Sequence, residues 1–461
     1  MKKTIGIIGA GLGGLTAGAL LSHYGHSVSI FEKEPCIGGR ALSFDGSSLT
    51  KDDYLHYLNA FNMAIPFTTP NLDTIFSEQR LHGYTLDLGF HVIGGGVVSN
   101  LQSIFDIIHQ PHIDMMETRL ARITAEGYSY PFLTTFDKLK MLPKILRLIT
   151  ANEKTMNKLD HISMADTINK YRNGKLTLTL EMFSRVITTV NNLDAISTGE
   201  TLRAQKNLLS GSRAVGYPKH GLQTIYTTLA QYITSHKGSI SPSTPVQHLL
   251  IDDGMVTGIQ TQDQTTEFDI VVSNVPVQQL FTIASERAFP KVYVSMMKHL
   301  EGTGSLCAYY ALPSIPKELL GKTFLFIERE VGVDGSDVVG MIDFMTALPQ
   351  TGMSPQGMHL VQAYIICTPK EAKNKAILAK LKTILDHQLE HLLPEYASQM
   401  HWALYPAVWQ LDGVAKTIDN IKPGMTTPIN GLYFVGDCLK APGIGMNCAF
   451  NSARKVATMI S

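Results

Sequence analysis

Hydrophobic positions near the start of the chain fall into two short runs with a glycine-rich turn and an apolar helical stretch between them. Residues 4–8 (TIGII) are apolar after Thr4, residues 9–14 hold four glycines, residues 15–24 carry the helical stretch, and residues 26–31 form the second run. Apolar runs of this length bounded by glycine are the pattern of buried strands, so the order predicts a strand–turn–helix–strand opening. Residues 46–80 mix polar and aromatic positions without a sustained period, contain Pro66 and Pro70, and read as an insertion. A short strand and glycine turn follow at Tyr84–Gly96. From about 97 to 210 the apolar positions recur at three- and four-residue intervals, which predicts a mostly helical second unit. From Gly216 the pattern returns to a helix, a hairpin around Asp253-Gly254 and a buried strand in EFDIVVSNVP. Residues 286–427 mix helix and strand, and residues 432–461 read as a strand, a glycine-rich loop and a last helix.

A length of 461 residues, 44% of them hydrophobic, supports two or three domains with buried cores. Lys plus Arg number 39 and Asp plus Glu 39, a balance without the basic excess of nucleic-acid binders. Charged residues are 17%, below the roughly 25% usual for soluble domains, which leaves surface apolar enough to meet lipid or a lipophilic partner. The five cysteines (Cys36, Cys307, Cys367, Cys438 and Cys448) are scattered, odd in number and without a CxxC pair, so a reduced cytoplasmic compartment is expected. Two lysines ahead of an apolar run imitate a secretory signal, but the glycine spacing is that of a nucleotide site, and the segment is read as retained. No run approaches the roughly 18 apolar residues that span a bilayer, so any membrane contact would be monotopic. The 16 His show no HExxH or comparable spacing, and no GxSxG elbow is present, so neither a metal site nor a serine nucleophile is expected.

The strongest chemical signal is Gly9-Ala10-Gly11-Leu12-Gly13-Gly14, a GxGxxG that follows a strand and opens a helix. Gly9 permits the tight turn, Gly11 lets backbone approach a pyrophosphate, and Gly14 allows close helix–strand packing, while the helix N-terminus offers N–H groups and a positive dipole. Glu32 ends the second strand about 20 residues on, where a carboxylate accepts the hydrogen bonds of a ribose diol and disfavours a 2′-phosphate. These residues leave NAD and FAD open. Gly38-Gly39-Arg40 stands six residues beyond Glu32, and no second GxGxxG has strand–helix context.

In chain order, GIIGAGLGGL, IFEKEPCIGGRA, GYTLDLGFHVIGGG, GYPKHGLQTIYTTLA, DIVVSNVP and LYFVGDCLKAPGIGMNCAFNSARKVA resemble the motifs of phytoene-desaturase-like flavoproteins, within the wider flavin amine oxidase superfamily. The resemblance implies an α/β fold: a Rossmann-like FAD-binding domain of the GR2 type from residues 1–96, 214–285 and 428–461, and a discontinuous mixed α+β substrate domain from 97–213 and 286–427. It implies that Gly9 to Gly14, with Ala10 and Leu12, cradle the FAD pyrophosphate. Glu32, with Lys33 beside it, would take the adenosine ribose, and Val246 would hold adenine through backbone groups. Gly38, Gly39, Arg40 and Ala41 would face the flavin side of the cofactor, with Arg40 either stabilising charge on reduced flavin or forming an interdomain ion pair. Gly436 and Asp437 would meet the ribityl chain or pyrophosphate, and the loop to Gly445 would aim a helix beginning at Met446 and Asn447 at the flavin. The chain departs from the family at Ile37, where Pro is usual, and at Asn451-Ser452-Ala453, where Ser-Gly is usual.

The implied reaction is hydride transfer between flavin N5 and a hydrophobic polyene or isoprenoid substrate, as desaturase, saturase or isomerase, with oxygen, a quinone or NAD(P) as the electron partner. An amine or protoporphyrinogen oxidase shares the FAD motifs, and a non-catalytic escort of prenylated proteins shares the fold. No catalytic side chain is assigned. His91 is either a proton relay or a turn histidine, and Asp87 reads as a strand-end carboxylate. In residues 138–152, Lys140, Lys144 and Arg147 fall on one helical face opposite apolar residues, the pattern of a peripheral membrane contact and equally of an ordinary surface helix. Trp402, Tyr405 and Trp409 cluster around Pro406 as core or as a substrate tunnel.

Overall fold

A computed structural model of the chain describes residues 2–132, 134–136, 139, 142–143, 150–170, 174–208, 215–331 and 336–461. Strand β1 (Thr4–Ile8), helix α1 (Leu12–His23) and strand β2 (Ser27–Phe31) form the opening unit. The helix starts three residues earlier than its apolar pattern suggests, because Gly11 is extended and serves as N-cap while Gly13 and Gly14 enter the first turn. Residues 12–22 of α1 are all buried. It lies between the C-terminal helix Met446–Ile460 and the helix Gln223–Ser235, which explains an apolar helix without a polar face.

β1 and β2 sit in a five-stranded sheet of order Ser239–Ser241, β2, β1, Ile270–Ser273, Leu432–Phe434. Every pairing is parallel, with Ile5 opposite Ile270 and Val271 opposite Leu432. Strands buried on both faces need apolar runs rather than alternation, as IVVS and TIGII show.

The second sheet has eight strands in the order Met63–Thr69, Trp402–Val408, Gly304–Leu312, His359–Cys367, Val338–Asp343, Lys322–Glu328, Arg119–Thr124, Gly127–Ser129. Lys322–Glu328 and Arg119–Thr124 run parallel, and the other neighbours run antiparallel. Alternate residues of Gly304–Leu312 serve different cores. Cys307, Tyr309 and Ala311 join the core shared with the parallel sheet, while Leu306, Ala308 and Tyr310 pack with Leu378, Leu381 and Leu385 of the helix Lys375–Leu392.

The stretch expected as an irregular insertion is ordered. Thr50 caps the helix Lys51–Ala60 and Asn71 caps Leu72–Ser77, with Met63–Thr69 as an edge strand between them, a position that accommodates Pro66. Met63–Thr69 pairs with Trp402–Val408, so this part of residues 1–96 belongs to the larger sheet and not to the dinucleotide unit. The stretch expected to be helical also holds the short strands Met115–Glu117, Arg119–Thr124 and Gly127–Ser129. Asp253 and Gly254 both adopt positive φ, 42° and 73°, in the hairpin turn. Lys140, Lys144 and Arg147, on which the amphipathic reading of 138–152 turns, lie outside the described residues. The five cysteines are free, and no helix among the described residues is long and apolar enough to cross a membrane.

A polar row crosses the middle of the large sheet, where Thr323, Asp343, Gln362 and Tyr309 stand in register. Asp343 is fully buried; its Oδ1 accepts from the Thr323 hydroxyl at 2.5 Å and from the Met345 N–H at 3.2 Å, while Oδ2 has no partner. Burial pushes its pKa up to about 6. The folded state therefore holds this proton to higher pH than the unfolded chain. Its stabilising contribution is complete in acid and is lost as pH rises from the ordinary aspartate value of 3.8 through about 6. Asp343→Asn is expected to raise stability by about 1–3 kcal/mol at neutral pH and to flatten that pH dependence, as denaturant unfolding at pH 4 to 8 would measure.

Candidate functional site

A cavity of about 430 Å³ opens at the carboxyl ends of the parallel strands, lined by Ile8, Phe31, Asn274 and Val435 where four of those strands finish. This crevice is where open parallel sheets bind ligands. Gly9 makes the turn out of β1 at φ +96°, and its N–H bonds to the Phe31 carbonyl at 2.8 Å. A Cβ on Gly14 would collide with the Gly9 carbonyl oxygen, so this glycine serves helix–strand packing and does not line the cavity. Ala10 is likewise absent from the lining and acts through its backbone. Gly11, Leu12 and Gly13 do line it.

Asn274, which follows the strand Ile270–Ser273, sits on the glycine turn. A Cβ on Gly11 would come within 2.7 Å of its Nδ2, and one on Gly13 within 2.5 Å of its Oδ1. In the sequence Asn274 stands within DIVVSNVP, and the one signal of its role is a side-chain amide at the carboxyl end of an apolar strand. Glu32 is buried, with Oε2 accepting from the Ala10 N–H at 2.7 Å and Oε1 from the Glu34 N–H at 3.0 Å. Burial raises its pKa, and the two backbone donors oppose the rise. Each oxygen keeps a second lone pair, and Glu32 and Lys33 both line the cavity, as does Val246.

Gly38 and Gly39 take φ of +117° and +61°, and a Cβ on Gly39 would stand 3.2 Å from the Gly11 Cα, so the GGR turn lies directly against the glycine turn. Arg40 and Ala41 follow on the same wall. The Arg40 guanidinium donates to the Gln410 carbonyl at 2.8 Å and to Asp437 Oδ1 at 2.6 Å. Asp437 Oδ2 accepts from the Gly413 N–H at 2.8 Å, and its carbonyl accepts from Lys422 at 3.0 Å. The ion pair expected for Arg40 is formed, with Asp437 as its partner. Burial opposes ionisation of Asp437, but Arg40 outweighs it and holds the carboxyl below the usual range. Gln410 was missed because its contribution is a backbone carbonyl.

Gly436 lines the cavity at φ +129°, and Gly445 and Met446 meet it at the start of the last helix. Asn447 instead donates to the Gly94 carbonyl at 2.7 Å and stays out of the lining. His91 lines the cavity, and its Nε2 lies 3.0 Å from the Arg40 carbonyl and 2.8 Å from the Leu88 carbonyl. Two acceptors require a proton on that nitrogen, and burial holds the ring neutral by lowering its pKa. Asp87 is buried beneath, accepting from the Ser43 hydroxyl at 2.5 Å and from the Tyr217 hydroxyl, and is the strand-end carboxylate expected. Trp402 and Tyr405 are buried in the large sheet and Trp409 donates to the Ala372 carbonyl; none lines the cavity, so they are core and not a tunnel at this site.

These residues fit a dinucleotide. Three glycines without side chains line the turns at positions 11, 13 and 436, a carboxylate with spare lone pairs stands at one end, and a helix N-terminus stands at the other. The fold agrees with an oxidoreductase from Methanosarcina mazei, at a TM-score of 0.71 and 20% identity over 99% of this chain and 100% of that one. The chain is 26% identical over 285 residues to a 4,4′-diapophytoene desaturase (4,4′-diapolycopene-forming) of Methylomonas sp, covering 56% of this chain and 51% of the relative. It is 25% identical over 299 residues to an inactive all-trans-retinol 13,14-reductase of Danio rerio, covering 60% and 48%. The chain thus spans about half the length of these two relatives. The family described as flavin containing amine oxidoreductase matches residues 12–461. With that match over nearly the whole chain and a cavity of this form, the protein belongs to the flavin containing amine oxidoreductase family, with FAD as its cofactor.

Proposed function

We propose that the protein moves hydride between FAD and an apolar polyene or isoprenoid substrate, as a desaturase, saturase or isomerase. The observation that carries this reading is the charge inventory of the cavity. Among the described residues lining it the carboxylates are Glu32 and Asp437. Glu32 accepts from two backbone N–H groups, and Asp437 is taken by Arg40 and Gly413. An ammonium substrate needs an anionic partner once desolvated; in this reading the spare lone pairs of Glu32 go to the adenosine ribose and Asp437 is spent on Arg40, so neither carboxylate is left for one. Beside the Arg40 pair the wall continues with Phe61, Leu411 and Met446 and with neutral His91. The names of the Methylomonas and Danio relatives, a diapophytoene desaturase and an inactive retinol reductase, point to the same substrate class.

FAD, when bound, supplies the hydride acceptor or donor at N5, and the chain binds, orients and keeps the site dry. In this reading the Gly9–Gly13 turn holds the pyrophosphate, Glu32 and Lys33 the ribose and Val246 the adenine. Gly38–Ala41, Gly436, Asp437, Gly445 and Met446 hold the flavin side. The parallel-sheet unit is the FAD domain, and the eight-stranded sheet with its helices is the substrate domain. His91 keeps its Nε2 proton on two carbonyls and so fixes the turn after Asp87 instead of delivering a proton. Residues 138–152 give the enzyme a peripheral seat on the cytoplasmic membrane surface, from which an apolar substrate can enter.

Anaerobic mixing of the FAD-loaded protein with a detergent-dispersed polyene tests the reading. Loss of the visible flavin absorption, or its return when a reduced sample meets a more unsaturated polyene, is expected. A flavin that ignores polyenes in both directions but is bleached by an alkyl amine overturns it in favour of amine oxidation.

A further inference from the structure

Behind the Gly436–Cys438 wall lies a line of buried charge that the site does not account for. Lys422 is 5% exposed, and its ammonium donates to one group, the Asp437 carbonyl at 3.0 Å. No carboxylate among the described residues is in ion-pair contact with it. The neighbouring Lys416 is spent on Asp412, and that pair is itself buried. Desolvation acts against the Lys422 charge, and the fields of Asp412 and other nearby carboxylates more than restore it, so it stays protonated. Arg40 and Lys422 therefore bring two positive charges to Asp437, which returns one negative. A buried ammonium with a single acceptor is costly, and a hydrophobic residue would fill the same space at less expense.

We propose that Lys422 is a positioning residue for the redox cofactor, pinning the Asp437 turn and leaving this wall with a net positive charge that favours the reduced, more negative form of FAD. The inference rests on the cavity being the FAD site. A negative charge gained in a water-poor site interacts with a fixed cation more strongly than in water, so loss of that cation makes reduction harder.

The test is the reduction potential of bound FAD, measured by equilibration with a reference dye in the wild type, Lys422→Met and Lys422→Arg. Lys422→Met is expected to lower the potential, shifting the oxidised-to-reduced ratio at a fixed dye potential by about tenfold or more, while Lys422→Arg stays near wild type. A purely structural lysine would change FAD retention or thermal stability in Lys422→Met and leave the potential where it was, and that result overturns the proposal. If Lys422→Met does not fold, Lys422→Gln carries the same test: the potential must fall, and an unchanged value overturns the proposal. FAD that binds with Gly13 and Asp437 shown to be remote from it would instead overturn the site assignment, and with it this inference.

Discussion

Arg40→Met is expected to destabilise the protein by about 3–5 kcal/mol at neutral pH, because it leaves Asp437 as a buried carboxylate without its cation. The guanidinium of Arg40 joins the GGR turn to Asp437 and to the Gln410 carbonyl, so one side chain links three segments of the cavity wall. In the wild type Arg40 holds the Asp437 carboxyl below its ordinary range despite burial. That contribution is present above the ordinary carboxylate pKa and disappears as pH falls through the depressed value. In the variant burial is opposed only by the Lys422 charge and the Gly413 N–H, the carboxyl moves upward, and the penalty at neutral pH is relieved on acidification. The stability gap between the two proteins should therefore narrow as pH falls. Denaturant unfolding across a pH series measures this, and the double variant Arg40→Met/Asp437→Asn should recover part of the loss. Equal unfolding midpoints for wild type and Arg40→Met would mean that the pair contributes no net stability.

Gly13→Val is expected to give a folded protein that has lost FAD, with affinity lowered about a hundredfold or more. Its first side-chain atom would stand 2.5 Å from Asn274 Oδ1 and 3.1 Å from the Gly436 N–H, and its two methyl groups would occupy the cavity wall beside them. Gly14→Val offers the contrast. Its Cβ meets the Gly9 carbonyl, backbone that cannot turn aside, so it should damage folding first and the cofactor only as a result. Gel filtration followed by a flavin spectrum of the protein fraction separates the two outcomes, and retention of stoichiometric FAD by Gly13→Val would sink the assignment of this turn to the cofactor.

What could be read from the sequence was what repeats locally. TIGII, the glycine turn and the apolar helix announce the opening unit because each is a contiguous pattern with one physical meaning. Met63–Thr69 escaped notice because an edge strand is only partly buried and Pro66 interrupts its alternation. The polar row of Asp343 and Gln362 is invisible in either strand taken singly and exists only through their register. Arg40 and Asp437 were each legible as motif residues, but their pairing spans 397 positions and no local pattern encodes it. Asn274 and Gln410 belong to the same class, since one acts by contact with distant glycines and the other by a main-chain oxygen.

The parallel sheet has a further consequence, for how the chain is made. β1 leaves the ribosome well ahead of its inner neighbour, the strand at Ile270–Ser273, and the sheet closes only with Leu432–Phe434. At about 5–20 residues per second, β1 and α1 wait on the order of tens of seconds for those partners. Through that interval an apolar strand edge and a helix without a polar face stand uncovered, a hazard that chaperones exist to shield. Cofactor loading must come later still, since the cradle has no Asp437 wall until the last segment of the sheet has been synthesised.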